Sequence, residues 1–170
     1  DNIEKNPPVN FLIVLQLRAA QRNRPRQTYW RSQRRGGGLG WGMIISTRRR
    51  YIFVHIPKTG GTSLALALEA RAAADDILIG DTPKAQRRRG RLKGLQAAGR
   101  LWKHSTLADI DGILPPEQMA QMKVICMVRN PWDRLGSYYH WLQEQTFDHE
   151  AVRLAQALSF SGFLNHPHTQ

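Results

Sequence analysis

A chain of 170 residues with 41% hydrophobic content is long enough to bury one sizeable core, so it needs neither disulfides nor a structural metal to fold. The single cysteine, Cys126, excludes an internal disulfide, and the apolar run at residues 11–17 is far too short to span a bilayer. Twenty-five Lys and Arg against 13 Asp and Glu leave a net charge of +12, which favours anionic ligands.

Eight of the basic residues and only two of the acidic ones lie before Met43, so residues 1–42 carry half the net charge. Pro7-Pro8, the Gly36-Gly37-Gly38 tract and the scarcity of apolar residues predict a basic extension that is disordered or spurious. Residues 43–170 form the expected folded domain. The arginine-rich stretch after the apolar run lacks a small-residue cleavage signature, so no signal anchor is read there. A cytoplasmic location is expected, with membrane association as the alternative.

At residues 51–63 the sequence reads YIFVHIPKTGGTS. The β-branched and aromatic run Tyr51, Ile52, Phe53, Val54 predicts a strand, and the good helix formers of residues 64–74 predict a helix. Between them, Gly60 and Gly61 permit positive φ, Thr62 and Ser63 offer N-cap hydroxyls, and the helix dipole adds partial positive charge. Lys58 supplies a full charge, and the whole forms an anion cradle. The Walker A pattern is not met, because the lysine precedes the glycines and no Gly-Lys-Ser/Thr follows them. That departure argues against an ordinary Mg-ATP or GTP hydrolase.

Further along, residues 77–79 read as a strand, and the basic run Lys84-Ala85-Gln86-Arg87-Arg88-Arg89-Gly90-Arg91-Leu92-Lys93 reads as a mobile connection. Such a run is a solvated loop, a holder of an anionic acceptor or cofactor, or a nucleic-acid patch; no nucleic-acid-binding motif accompanies it, so no specific nucleic acid is expected. Residues 101–106 read as a short strand entering a helix over 106–110 that Ser105 or Thr106 would cap. Pro115-Pro116 then opens a helix over 117–122.

A second strand-to-helix junction follows. Val124, Ile125, Cys126, Met127 and Val128 form a buried-looking strand, Asn130 suits an N-cap and Pro131 the first helical position. The helix over 132–145 would turn Trp132, Leu135, Tyr138, Tyr139 and Leu142 inward, and Gly136 within it would mark close packing. Arg129 stands at the strand's carboxyl end, where open α/β sheets bind ligands and where a guanidinium can grip a phosphate bidentately. A structural ion pair is the equally available role. Two helical stretches, 150–158 and 160–165, complete the chain. Alternating strands and helices predict an α/β fold with a central parallel sheet and helices on both faces.

HIPKTGGTS and VRNPWDRLGSYYHWL together resemble the sulfotransferase superfamily, in particular its carbohydrate-type branch, over residues 43–170. The resemblance implies a P-loop-like three-layer fold and transfer of a sulfuryl group from 3′-phosphoadenosine-5′-phosphosulfate (PAPS) to a hydroxyl acceptor, a glycan or small molecule, without a metal. It places the donor's 5′-phosphosulfate end on Lys58, Thr59, Gly60, Gly61, Thr62 and Ser63, and its 3′-phosphate on Arg129 and Ser137. It also implies elements beyond residue 170 that would enclose the adenine, so a truncated member is expected. In-line transfer builds negative charge on the bridging oxygen, which Lys58 and the loop N–H groups can stabilise. The acceptor hydroxyl must lose a proton to a base. His104 is the first choice, because its Lys-His-Ser-Thr context resembles the family's base segment; a loop histidine satisfied by backbone is the competing role. His55 is expected to orient the loop. His140 reads as a packing or surface residue, and His149, His166 and His168 show no metal-ligand spacing. The alternatives are a kinase-like nucleotide-dependent P-loop enzyme and a non-catalytic nucleotide-binding remnant.

Overall fold

The computed structural model describes residues 12–16, as backbone, and residues 42–169. Within the segment read as an extension, Leu12–Gln16 forms strand β1; the rest of that segment, its Pro7-Pro8 and triple-glycine features included, lies outside the described residues. The chain divides into two compact units, Asp1–Val128 and Arg129–Gln170.

The first unit is built on a five-stranded sheet of order β1-β5-β3-β2-β4, with β2 at Met43–Ser46, β3 at Tyr51–Val54, β4 at Ile77–Ile79 and β5 at Lys123–Val128. β5 pairs in parallel with both β1 and β3, whereas β2 is antiparallel to β3 and to β4. The sheet is therefore mixed, and the expectation of a wholly parallel central sheet is corrected. The cause is chain length: only residues 47–50 separate β2 from β3, and their turn closes with Arg50 N–H donating to the Thr47 carbonyl at 3.2 Å. A connection that short can form only a hairpin, since a parallel pair needs a crossover of about a dozen residues or more.

Alternation along the strands sends Ile44, Tyr51, Phe53 and Leu78 to one face and Met43, Ile45, Ile52 and Ile79 to the other. The first face is covered by helix α1 (Gly61–Ala70) through Ala65 and helix α2 (Pro83–Arg88) through Ala85. The second is covered by Ile110, Met122 and partly buried residues between Leu92 and Met119, with only the single-turn helix α3 (Pro116–Met119) and a 3-10 turn at Arg89–Gly94 as regular structure. Both faces are thus buried, but one of the covering layers is mostly turns. Neither the strand expected at 101–106 nor the helix expected at 106–110 forms. Ser105, fully buried, accepts from the Trp102 N–H at 2.9 Å and its hydroxyl lies 3.1 Å from the Arg100 carbonyl, so it ties off a turn where a helix cap was expected. Thr106 does the same with Asp109, whose carboxylate accepts from the Thr106 N–H at 2.7 Å.

The basic run 84–93 is no mobile connection either. Lys84 donates to the Glu69 carbonyl at 2.6 Å, Arg88 to the Ala73 carbonyl at 2.7 Å, and Arg91 to the Ala74 carbonyl. These cations close the carboxyl end of α1 and the turn after it, where orphan carbonyls and the negative dipole end attract positive charge. Thr82 caps α2 by accepting from the Ala85 N–H at 3.0 Å while donating to Glu69 at 2.7 Å.

The second unit is a small helical cluster of α4 (Pro131–Gln143), α5 (Glu150–Ala157) and α6 (Phe160–Leu164) around Tyr139, Leu142, Val152, Ala155 and Phe163. Asn130 caps α4 as expected, accepting from the Trp132 N–H at 3.0 Å, with Pro131 at the first position. Tyr139 donates its hydroxyl to the Leu158 carbonyl at 2.7 Å. Trp132, expected inward, is 73% exposed and takes no part in that cluster. A methyl at Gly136 would meet nothing within 4 Å, so close packing is not the reason for that glycine.

Candidate functional site

β3 and β5 run in parallel and in register, Val54 opposite Cys126, so their carboxyl ends share one edge of the sheet. From that edge β3 continues through His55 into the turn that begins α1. Lys58 adopts φ 64° and Gly60 φ 80°. The left-handed region is open to Gly60, but for lysine it costs on the order of 1 kcal/mol and persists only where the surroundings hold it. Thr59 is one of those supports: it is buried, and its hydroxyl donates to the Ile56 carbonyl at 2.8 Å, closing the turn on itself.

α1 begins at Gly61, three residues before the helix expected from composition. Gly60 is the N-cap, no side chain caps the helix, and its first turn carries no acidic residue. Thr62 and Ser63, expected as capping hydroxyls, are helical instead; Thr62 is half-buried and Ser63 exposed. The first turn of this ten-residue helix thus carries no side-chain cap, and a helix N-terminus is a natural place for an anion. Lys58, half-buried, is in the same turn.

Gly61 is held to glycine by contact: a Cβ there would lie 2.9 Å from Cδ2 of His55. His55 is 8% exposed and packs its ring against His104 with centroids 5.1 Å apart and 19° between planes. The two Nδ1 atoms are 3.3 Å apart, and His104 Nδ1 is also 3.1 Å from the His55 carbonyl oxygen. A carbonyl can only accept, so this contact assigns the proton to His104 Nδ1 and leaves His104 Nε2 with a lone pair. With that proton on His104 Nδ1, the Nδ1 of His55 can face it only as an acceptor. Burial pushes His55 down to about 4, with further lowering from His104 and Lys103. His104 is lowered as well, chiefly by burial, against the raising effect of its bond to the His55 carbonyl. Both imidazoles are neutral at pH 7, the form in which a histidine accepts a proton.

The structure thus brings His104, the loop at 57–63 and His55 together by a chain of contacts within one unit, although His104 sits in a turn rather than at the strand end that composition suggested. Arg129 and Ser137, both half-buried, belong to the second unit: Arg129 is the residue after Val128, and Ser137 lies within α4. Among the other histidines, His140 is exposed beside Gln143, His149 caps α5 by accepting from the Ala151 N–H at 3.1 Å, and His166 and His168 stack at 5.5 Å. The capping role of His149 went unread because histidine is an uncommon N-cap; the signal was its place before Glu150 at a helix start. Cys126 is buried, and burial raises its thiol. No described helix is long and apolar enough to cross a membrane. Comparison with known protein families, curated proteins and solved structures finds no match to this chain.

Proposed function

We propose that this chain is a sulfotransferase of the PAPS-dependent, carbohydrate-type kind, with a P-loop-like fold around the cradle after β3. One observation above all supports the reading: an α1 N-terminus without a side-chain cap, preceded by a left-handed lysine, is linked through the contact of Gly61 with His55 to a histidine, His104, whose free lone pair is defined by its hydrogen bond. The donor set is cationic and amide, which suits a phosphosulfate, and the donor molecule supplies the activated sulfuryl group when bound.

In this reading Lys58 and the N–H groups of residues 60–63 bind the 5′-phosphosulfate end and stabilise the charge that grows on the bridging oxygen. His104 Nε2 removes the acceptor hydroxyl's proton as the acceptor oxygen bonds to sulfur and the bond from sulfur to the bridging oxygen breaks. The resulting imidazolium is stabilised by the His55 carbonyl at Nδ1. Thr59 contributes rigidity and its backbone N–H, since its hydroxyl is already engaged. The resemblance assigns the 3′-phosphate to Arg129 and Ser137, and that part of the proposal rests on sequence alone.

The test is calorimetric titration of the full chain with 3′-phosphoadenosine-5′-phosphate and, separately, with ATP and Mg²⁺. Selective binding of the former is expected, and transfer from labelled PAPS to a hydroxyl acceptor completes the demonstration. A preference for ATP would replace this reading with the kinase-like one, and binding without transfer to any hydroxyl acceptor would leave a nucleotide-binding remnant.

A further inference from the structure

β3, β4 and β5 all begin at the edge of the sheet opposite the cradle: Tyr51 pairs with Lys123 and with Ser46, and Ile77 pairs with Ile45. Three segments meet at that rim: the β2–β3 turn at residues 47–50, the stretch 71–76 between α1 and β4, and Lys123 at the start of β5. Contacts join them to one another. The Lys123 N–H donates to the Arg50 carbonyl at 2.9 Å, Arg49 donates to the Asp76 carboxylate at 3.3 Å, and Arg91 donates to the Ala74 carbonyl.

The charge of the rim is one-sided. Arg48, Arg50, Arg71 and Lys123 are exposed, and their side chains have no hydrogen-bond or ion-pair partner among the described residues. The Asp76 side chain is fully buried and engaged by Arg49, which leaves Asp75 as the one exposed carboxylate of the three segments. Tyr51, the aromatic residue of the rim, is 9% exposed and offers no ring on which a nucleobase could stack. A lipid surface asks for no such ring: a cluster of about four to eight basic side chains is what anionic headgroups attract, and a guanidinium can hold a phosphate or carboxylate bidentately.

We infer that this rim docks the chain on an anionic phospholipid surface, with Arg48, Arg50, Arg71 and Lys123 set among the headgroups. The cradle lies at the other edge of the same sheet, so docking at the rim leaves it uncovered by lipid. The attraction is independent of the proposed reaction and is read without any nucleotide. It is also reversible and weakened by salt, because exposed charges are screened within a Debye length.

The experiment is co-sedimentation of the full chain with vesicles of phosphatidylcholine alone and of an equimolar mixture of phosphatidylcholine and phosphatidylserine, at low and at high salt. Each cation near an anionic surface is worth roughly fivefold in partition, so four should favour the mixed vesicles by on the order of several hundredfold at low salt. The Arg48→Gln/Arg71→Gln/Lys123→Gln variant should lose about 10²-fold of that partition, and Arg48→Gln/Arg71→Gln, which leaves the strand untouched, roughly 25-fold. Arg50 stays in place because its φ of 53° ties it to the turn. Arg22→Gln/Arg24→Gln/Arg26→Gln removes as much charge from outside the rim and should lose less, with circular dichroism melts like those of the wild type showing that each variant is folded. Equal partition on the two kinds of vesicle, an unchanged partition of the rim variants, or a loss as large in the Arg22/Arg24/Arg26 variant would each overturn the assignment. Release of the chain from the mixed vesicles by duplex DNA at equal phosphate concentration would give the rim to nucleic acid instead.

Discussion

His104 donates its Nδ1 proton to the backbone carbonyl of His55 across 3.1 Å, while the two imidazoles stack face to face. The carbonyl sets which nitrogen of His104 carries hydrogen, and the His55 ring limits how that imidazole can turn. His104→Ala is therefore expected to remove transfer, with a rate loss of roughly 10²–10⁴-fold for a general base, while the affinity for 3′-phosphoadenosine-5′-phosphate is unchanged. Calorimetry beside a labelled-donor assay separates the two effects. Near-normal transfer in this variant would exclude His104 as the base.

Both imidazoles titrate below the ordinary histidine value of 6.5, His55 at about 4. Their folded forms bind protons less readily than the unfolded chain, so stability is complete above 6.5 and falls as pH drops toward 4. Melting temperature should decline between pH 7 and pH 5, and the decline should be shallower in His55→Phe, which has no proton to take up at that position. Parallel pH curves for the two proteins would remove His55 from the acid sensitivity.

Gly61→Ala places a methyl 2.9 Å from the His55 ring. The ring is packed against His104 and has little room to yield, so a cost of about 1–3 kcal/mol is expected, as for other overpacked sites. Transfer should fall further than stability, since the displaced ring takes His104 with it. A variant with wild-type melting and wild-type kcat would show that this contact relaxes freely.

Lys58→Ala should abolish transfer by removing the full charge from the cradle, and Lys58→Gly should also stabilise the loop, because glycine accepts φ 64° without strain. Denaturant titration and the labelled-donor assay on both variants test the pair. A Gly variant less stable than the Ala variant would show that the turn is not strained at this residue. Arg129→Ala is expected to weaken 3′-phosphoadenosine-5′-phosphate binding while leaving adenosine 5′-phosphosulfate, which lacks the 3′-phosphate, unaffected; equal losses for both would withdraw its 3′-phosphate role.

Gly136→Ala, by contrast, should stabilise the second unit by roughly 0.5–1 kcal/mol, the helix-propensity difference, because the position is helical and a methyl there meets nothing. Chemical denaturation measures it directly. A loss of stability would mean that the added methyl is not tolerated.

Much of the local structure was legible in the residues. The run Tyr51 to Val54 is a strand, the turn ending at Gly60 starts a helix, Asn130 and Pro131 open α4, and α5 and α6 fall where their composition put them. The segment around His104 was misread because its pattern fits a strand running into a capped helix, and Ser105 spends its hydroxyl on a turn instead. The basic run was misread for a related reason. Nothing in its composition tells that the carbonyls ending α1 lie within reach of Lys84, Arg88 and Arg91.

From sequence alone come the strand, glycine turn and helix around Lys58, the caps and the placement of charge, because propensities and capping bonds act between residues a few positions apart. Only the folded chain decides that β2 inserts antiparallel between β3 and β4, that the His55 carbonyl orients His104 from 49 residues away, and that Arg89, Arg100 and Trp102 line one cleft. Those contacts depend on the path of the backbone between distant segments, which is set by how both faces of the sheet are buried and not by any local pattern.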